Sequence, residues 1–188
     1  MAKIQLSTEE FAARARQIRL VILDCDGVLT DGSIVYDEIG REIKRFHVRD
    51  GFGVKCWQRA GHQIAVISGR YSPTLTWRCR ELGISPVVQG EPNKESAYRG
   101  LLNECGVKPV ETCMIGDDLP DLPLILASGI GVAVADADPL VRERADVVTS
   151  ERGGRGAIRE ALELLLVQQG YWSEVVEHYT RAIVSSEG

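Results

Sequence analysis

The sequence has no apolar run that approaches the roughly 20 residues of a membrane-spanning helix. Its first residues, Met1-Ala2-Lys3-Ile4, also lack the apolar core of a signal peptide. Basic residues are in the minority: the sequence has 22 lysines and arginines and 27 aspartates and glutamates, which gives a net charge of −5. Such a charge does not favour a nucleic-acid-binding surface. We therefore expect a cytoplasmic protein that binds neither membranes nor nucleic acids.

Cysteine is sparse as well. The chain has five cysteines, an odd number, and none of them form a C-x-x-C pair. This pattern disfavours both a disulfide framework and a zinc site. We expect reduced and mostly buried thiols.

The length of 188 residues suits one domain with a full sheet. Apolar, strand-like runs alternate with helical stretches, and this order predicts parallel strands joined by right-handed crossovers. We predict an α/β fold in a single domain over residues 1–188, with a Rossmann-like, doubly wound, mostly parallel sheet and helices on both faces. The predicted strands are Leu20–Leu23, Ile64–Ile67, Val87–Val88, Thr112–Ile115, Gly131–Val134 and Val147–Val148.

Helix signals stand between these strands. Predicted helices begin at or near Ser7, Asp50, Pro73, Asn93, Leu122, Asp138 and Gly156. Residues 33–48 instead alternate between apolar and polar types around the turn-forming segment 37–40. Alternation of period two about such a turn predicts a β-hairpin.

Two carboxylates leave the end of the first predicted strand, where Asp24-Cys25-Asp26-Gly27 follows the apolar run. Residues i and i+2 of an extended segment point the same way, so Asp24 and Asp26 can face one reacting centre. Crowded carboxylates repel each other unless a cation binds or one of them holds a proton. The pair therefore indicates a metal site, an acid–base pair or both. The structural alternative is a turn that caps the next element.

Polar side chains also follow the ends of other predicted elements. Ser68 follows one strand, Asp117 and Asp118 follow another, and Asp121 comes shortly after them. Lys94 stands at the start of a helix between the two strands. Each residue alone could serve a turn, a helix cap or a solvated surface. Because ligands of open α/β sheets bind beyond the carboxyl ends of the strands, the residues together indicate a functional site.

In this order the motifs D-x-D, Ser, Lys and G-D-D-x-x-D resemble the haloacid dehalogenase superfamily, whose hydrolytic members are mostly Mg²⁺-dependent phosphatases. The resemblance implies that Asp24 is a nucleophile that forms an aspartyl-phosphate. It implies that Asp26 protonates the leaving oxygen and then deprotonates the attacking water. Ser68 and Lys94 would bind the phosphoryl oxygens, with Lys94 also neutralising charge in the transition state.

The resemblance also implies a set of metal ligands. They are the carboxylate of Asp24, the backbone carbonyl of Asp26 and the carboxylate of Asp117, all of them the oxygen ligands that Mg²⁺ prefers. Asp118 and Asp121 would lie outside this set or hold a metal-bound water. We therefore expect Mg²⁺ as the cofactor.

Longer motifs narrow the resemblance. They include V-R-D-G after the hairpin, S-G-R after the second strand and G-G-R-G before the last long helix. These resemble the phosphatases of 3-deoxy-D-manno-octulosonate 8-phosphate, an eight-carbon sugar acid phosphate of lipopolysaccharide biosynthesis. The resemblance implies a homotetramer assembled around the hairpins, in which a neighbouring subunit closes each site. One helix and one short strand already fill the interval between Ser68 and Lys94, which leaves no room for a cap domain. A site without a cap agrees with closure by a neighbouring subunit.

The implied substrate carries a carboxylate besides its phosphate. Arginine suits carboxylates because its guanidinium group can bind both oxygens. Arg70 is the leading candidate, followed by Arg78 and Arg49, for which surface ion pairs are the alternative. The aromatic tail, residues 171–188, has two interpretations: a surface helix on the preceding helix, or a segment that approaches an adjacent site as in family members.

Three other functions stay open at this point. A related capless phosphatase would act on a nine-carbon, sialic-acid-type sugar phosphate. A phosphoacceptor signalling domain also groups aspartates and a lysine around Mg²⁺, but it lacks an acid–base group in the place of Asp26. An interaction domain without catalysis would not need the complete set of motif residues.

Overall fold

The structure is a computed structural model that describes residues 1–184. Residues 185–188, the end of the predicted tail, lie outside the described residues. The strands are β1 (Lys3–Ile4), β2 (Leu20–Leu23), β3 (Val35–Tyr36), β4 (Glu42–Ile43), β5 (Gln63–Ser68), β6 (Val87–Gln89), β7 (Thr112–Gly116), β8 (Ile130–Ala133) and β9 (Val147–Val148). The helices are α1 (Thr8–Ala15), α2 (Val48–Arg59), α3 (Pro73–Leu82), α4 (Lys94–Cys105), α5 (Leu122–Ala127), α6 (Pro139–Arg144), α7 (Ala157–Gln168) and α8 (Trp172–Val184).

Seven of the strands form one sheet in the order β1-β9-β8-β7-β2-β5-β6. Neighbouring strands are parallel, except that β1 runs antiparallel to β9. Helices flank the sheet: α4 and α5 contact β5, β7 and β8, while α2 contacts β5 and packs against α7. The predicted α/β fold with a mostly parallel sheet is confirmed. The two-residue strand β1 has no signal in the sequence pattern, because its partner on the sheet edge is remote in the chain.

Local signals set the ends of the helices. The Ser7 hydroxyl accepts a hydrogen bond from the Glu10 N–H at 3.2 Å and so caps α1. The Asn93 side chain caps α4 in the same way at 3.1 Å. Helix α3 begins at Pro73 and ends before Gly83, whose φ of 67° suits a residue without a side chain. The predicted bounds of α3 and α4 therefore agree with the structure.

The central strands form the hydrophobic core. All four residues of β2 are fully buried, as are most residues of β5 and β7. A strand covered on both faces needs no polar alternation, which explains the continuous apolar runs of the sequence. Trp57 of α2 is also fully buried, and its indole N–H donates a hydrogen bond to the Gln63 carbonyl at 2.7 Å. The five cysteines are free thiols, and four of them are buried.

Asp50 joins α2 to α7. Its buried carboxylate accepts hydrogen bonds from the backbone N–H groups of Gly156 at 3.2 Å and Arg159 at 2.9 Å. These groups belong to the start of α7, where free N–H donors and the helix dipole favour a carboxylate. Burial raises the pKa of Asp50, although the hydrogen bonds oppose that shift. The contact fixes the loop before α7 relative to α2.

Strands β3 and β4 form the predicted hairpin, with Val35 opposite Ile43. The expected extent of this hairpin needs one correction. Val48, which the alternation assigns to the hairpin, is the first residue of α2, so the helix begins before its predicted start at Asp50. His47 precedes it in an extended conformation and ends the alternating segment. Within residues 1–184 no helix is both long enough and apolar enough to cross a membrane.

The loop at residues 149–156 covers the turn that follows β2. A Cβ atom on Gly153 would lie 1.6 Å from the carbonyl oxygen of Gly27. The N–H of Gly154 donates a hydrogen bond to the Val28 carbonyl at 2.8 Å. This close approach of two backbones explains why glycine stands at position 153.

We expect Gly153→Ala to lower the free energy of unfolding by roughly 1–3 kcal/mol, because the new methyl group must displace backbone atoms. Gly100→Ala is the matched control, since a Cβ on Gly100 in α4 meets nothing within 4 Å. This control should raise stability by about 0.5–1 kcal/mol, because alanine favours the helix interior. Urea denaturation of both variants checks the difference. A Gly153→Ala variant as stable as the wild type would contradict the close packing of the two loops.

Candidate active site

The rim of the sheet brings several predicted residues together. Strand β2 pairs in register with both of its neighbours, so that Leu23 lies opposite Val66 of β5 and Ile115 of β7. The strands therefore reach the rim together, and polar residues follow at their carboxyl ends. The predicted site residues at this edge are Asp24, Asp26, Ser68 and Asp117.

Lys94 lies between two buried carboxylates. Its ammonium nitrogen is 2.7 Å from Oδ1 of Asp24 and 2.6 Å from Oδ1 of Asp121. None of the three side chains is more than 10% exposed. Burial alone would lower the pKa of Lys94, but the two carboxylates raise it above its usual value. Lys94 therefore keeps its positive charge beside Asp24.

The carboxylates at this edge exceed the positive charge that Lys94 supplies. Burial and then the charge of Asp121 raise the pKa of Asp24, even though Lys94 opposes the shift. Burial and then the charge of Asp24 raise the pKa of Asp117. Carboxylate oxygens of Asp24, Asp117 and Asp121 all lie within 4.8 Å of one another. Carboxylates this crowded, two of them buried and one half-buried, favour a further cation.

The hydrogen bonds distinguish the roles available to these carboxylates. Asp121 uses both oxygens, because Oδ1 accepts from Lys94 and Oδ2 accepts from the Asp117 N–H at 3.1 Å. Lys94 contacts only one oxygen of Asp24. Among residues 1–181 no group donates a hydrogen bond to the Asp117 carboxylate. This carboxylate lies so near Gly27 that a Cβ there would be 2.1 Å from its Oδ2. These oxygen donors fit Mg²⁺, with Asp24 and Asp117 available as ligands and Asp121 orienting them.

Asp26 lies in a second group of charges. Its Oδ1 accepts a hydrogen bond from the Lys44 ammonium, and its Oδ2 accepts one from Arg70 at 3.2 Å. Oε1 of Glu42 contacts the same two cations, at 2.7 Å from Nη2 of Arg70 and 3.4 Å from Nζ of Lys44. Arg70, the leading candidate for a substrate carboxylate, therefore contacts two carboxylates of the protein.

Ser68, the last residue of β5, precedes a turn that lies beside Lys94. It is buried, and its hydroxyl lies 3.0 Å from the carbonyl oxygen of Arg70. The residue between them, Gly69, lies beside Lys94, since a Cβ on it would be 4.0 Å from Cε of Lys94. The turn after β5 thus connects the surroundings of Asp24 with those of Asp26.

The other two predicted arginines lie in different surroundings. Arg78 of α3 donates a hydrogen bond to Glu81 at 2.9 Å, and its guanidinium carbon lies 5.7 Å from the centre of the Phe46 ring. Arg49 is exposed and lines a groove together with residues of β1 and α7. In the described part of the chain neither arginine pairs with Asp24 or Asp26.

The sequence motifs do not point to Glu42 or Lys44. Both stand among the polar positions of the hairpin, which the alternation alone would assign to a solvated face. The available signal is that they flank Ile43 and so share one side of an extended segment. Which of the two sides of the hairpin meets Asp26 has no equivalent sequence signal.

Comparison with known proteins identifies the family. The family model described as haloacid dehalogenase-like hydrolase matches residues 80–162. The 3-deoxy-D-manno-octulosonate 8-phosphate phosphatase of Escherichia coli K12 is 46% identical over 162 residues, which are 86% of this chain and 86% of that protein. The chain belongs to this phosphatase family. The family resemblance inferred from the sequence is confirmed.

Solved structures of octulosonate phosphatases share the fold. The Moraxella catarrhalis enzyme, in complex with a magnesium ion, a phosphate ion and a KDO molecule, matches with a TM-score of 0.89 and 37% identity, over 92% of this chain and 99% of that one. A cobalt-bound form from Haemophilus influenzae matches with a TM-score of 0.83 and 46% identity, over 85% and 94% of the two chains. These relatives bind divalent metals, as the crowded carboxylates of this chain lead us to expect.

We expect Asp117→Asn to weaken Mg²⁺ binding at least about tenfold, because the variant loses a carboxylate from the crowded group. Asp146→Asn is the matched control: Asp146 precedes β9, outside the crowded group, and accepts a hydrogen bond from the Gly131 N–H at 2.8 Å, which an amide can also accept. Calorimetric titration of the metal-free proteins with Mg²⁺ measures the effect. Equal binding by Asp117→Asn and the wild type would exclude Asp117 as a ligand.

Proposed function

We propose that this chain is a Mg²⁺-dependent phosphatase that converts 3-deoxy-D-manno-octulosonate 8-phosphate into the free sugar acid and phosphate. One observation carries the proposal: two carboxylates leave the same strand and meet different cations. Asp24 contacts Lys94, and Asp26 contacts Lys44 and Arg70. Membership of the octulosonate phosphatase family supports this choice of substrate and argues against the alternative function of a phosphoacceptor signalling domain. The proposal treats residues 1–188 as one cytoplasmic hydrolase domain of lipopolysaccharide biosynthesis.

In the first half of the reaction, a carboxylate oxygen of Asp24 attacks phosphorus. The bond between phosphorus and the sugar oxygen breaks, and Asp26 gives that oxygen a proton, which releases the sugar as a neutral alcohol. In the second half, water attacks the phosphorus of the aspartyl-phosphate while Asp26 takes up its proton. The bond to Asp24 then breaks, which releases phosphate and restores both carboxyl groups.

Cations around the phosphoryl group lower the barrier. Lys94 stands 2.7 Å from Asp24 and would neutralise the charge of the phosphoryl oxygens, which Ser68 also contacts in this proposal. Mg²⁺, held by Asp24, Asp117 and the backbone carbonyl of Asp26, would supply further positive charge at the same oxygens. Phosphate monoesters hydrolyse extremely slowly in water, so this electrostatic stabilisation is the main task of the site.

Arg70 is the residue we propose for the carboxylate of the substrate. Its side chain is 38% exposed, and its guanidinium group has five N–H donors, of which the contacts to Asp26 and Glu42 leave several free. We do not extend this role to Arg78 or Arg49, because Arg78 is paired with Glu81 and Arg49 faces another groove.

The choice of sugar is tested by side-by-side turnover of eight- and nine-carbon keto-sugar phosphates. We expect kcat/KM for the eight-carbon substrate to be higher than for the nine-carbon substrate by roughly tenfold or more. A single substrate group that fits a pocket poorly lowers kcat/KM by a factor of about this size. A preference for the nine-carbon, sialic-acid-type substrate would contradict the proposed substrate and leave the phosphatase chemistry intact.

Asp24→Asn should abolish turnover, because an amide cannot form the aspartyl-phosphate. Asp26→Asn should behave differently with 4-nitrophenyl phosphate, whose leaving group needs little protonation. We expect this variant to release about one nitrophenolate per site in a burst and then to turn over slowly, since hydrolysis of the intermediate lacks its base. Rapid-mixing absorbance measurements detect the burst. A burst from Asp24→Asn would exclude Asp24 as the nucleophile.

We further propose a homotetramer assembled around the hairpins. The exposed apolar side chains of this segment are Ile34, Val35, Tyr36, Ile39 and Ile43. Two-stranded ribbons are marginally stable alone, and closed symmetric assemblies bury such surfaces. In the described residues, the chain between β2 and α2 contains only the hairpin, and the chain between β5 and α4 contains only α3 and β6, so neither segment holds a cap domain. A neighbouring subunit would then cover the open site.

Light scattering at micromolar concentration should give four times the chain mass. Val35→Asp should lower this mass, because a carboxylate in a buried hairpin contact is costly. Leu126→Asp, an equivalent change at an exposed position of α5, is the control and should keep the tetramer. A monomeric wild type with full activity on the sugar phosphate would show that the subunit needs no neighbour.

A further inference from the structure

The hairpin presents opposite sides to different surroundings. The side chains of Glu42 and Lys44 are 11% and 2% exposed, whereas Ile43 between them is 52% exposed. Residues i and i+2 of an extended segment share a side, so one side of β4 and the residue after it carries both charges inward. The inward side meets Asp26, the acid–base residue of the proposed reaction.

Each oxygen of Asp26 has its own cation. Lys44 contacts Oδ1 and Arg70 contacts Oδ2, so rotation of the carboxyl group would break one contact or the other. A lysine as buried as Lys44 is costly unless its charge is paired. Glu42 provides the second anion. The four side chains balance two positive and two negative charges when Asp26 is ionised, the form in which it takes a proton from water in the proposed reaction.

We propose that Lys44, itself held by Glu42, is a positioning residue that orients the Asp26 carboxyl group for proton transfer to the leaving oxygen. This inference rests on the proposed function, in which Asp26 is the acid–base group. Lys44 acts through Asp26, whose Oδ1 it contacts. The hairpin is therefore part of the catalytic apparatus as well as an apolar surface.

Two aryl phosphates separate this role from a structural one. Phenyl phosphate and 4-nitrophenyl phosphate have similar shapes and no carboxylate, but phenolate is the more basic leaving group and gains more from protonation. The comparison uses kcat/KM, which depends on steps up to the departure of the leaving group and not on later hydrolysis of the aspartyl-phosphate. Loss of proton transfer must therefore affect phenyl phosphate more strongly.

We expect Lys44→Met to lower kcat/KM for phenyl phosphate by about 100-fold or more and that for 4-nitrophenyl phosphate by less than about tenfold. Glu42→Gln should give the same difference between substrates with smaller losses, because Lys44 stays in place with one contact weakened. Lys108→Met is the matched control, since Lys108 is exposed in the turn before β7, and it should leave both values unchanged.

Equal losses on both substrates, or no loss on either, would overturn the role of Lys44. Urea denaturation of each variant verifies the fold, and if Lys44→Met does not fold, the difference between substrates is read from Glu42→Gln. Failure of the proposed function has another signature. A wild-type protein without Mg²⁺-dependent activity on either aryl phosphate would overturn the phosphatase itself, whereas an active wild type with equal losses in the variants overturns only the inference about the hairpin.

Discussion

Two buried carboxylates, Asp24 and Asp121, share one lysine, and the half-buried carboxylate of Asp117 lies beside them. The other parts of the site are arranged around this excess of negative charge. Asp24, Asp117 and Asp121 would repel one another if they were brought together without compensation. Lys94 offsets part of the charge, and the Asp117 N–H contributes by donating to Asp121. The remaining deficit favours a divalent cation. The parallel register of three strands, the start of α4 and the small size of Gly27 are all needed to hold these groups so close.

Much of this arrangement is predictable because its causes are local. A buried parallel strand requires an unbroken apolar run, and a helix requires a cap at its start and often a glycine at its end. Pro73 and Gly83 therefore delimit α3, and Asn93 sets the start of α4 with Lys94 as its first residue. Once the strands are placed in one parallel sheet, their carboxyl ends share a rim, and the acidic motifs are expected to meet there.

The contacts of Asp26 are not predictable in this way, because they depend on how far a loop extends and in which direction. The alternation of the hairpin identifies two sides but not which side faces the site, so Glu42 and Lys44 look like solvated residues. The same limit applies to Arg49 and Arg78, whose chemistry suits a carboxylate: the sequence does not show that Arg78 pairs with Glu81 or that Arg49 lines a groove beside α7. Val48 shows the limit at the level of one residue, since its apolar side chain continues the alternation although the backbone has already begun α2.

The wide spacing of the charged groups along the chain has a consequence for protein synthesis. Lys94 lies 70 residues beyond Asp24, and β7 with its aspartates comes later still. Pairings between such remote segments form slowly, and the loop that covers Gly27 is supplied only by residues 149–156. A chain emerging from the ribosome therefore carries Asp24, the nucleophile that we propose, long before all the carboxylates of the crowded group have been made. We expect the nascent polypeptide to be catalytically silent until residues 149–156 have emerged and folded over Gly27.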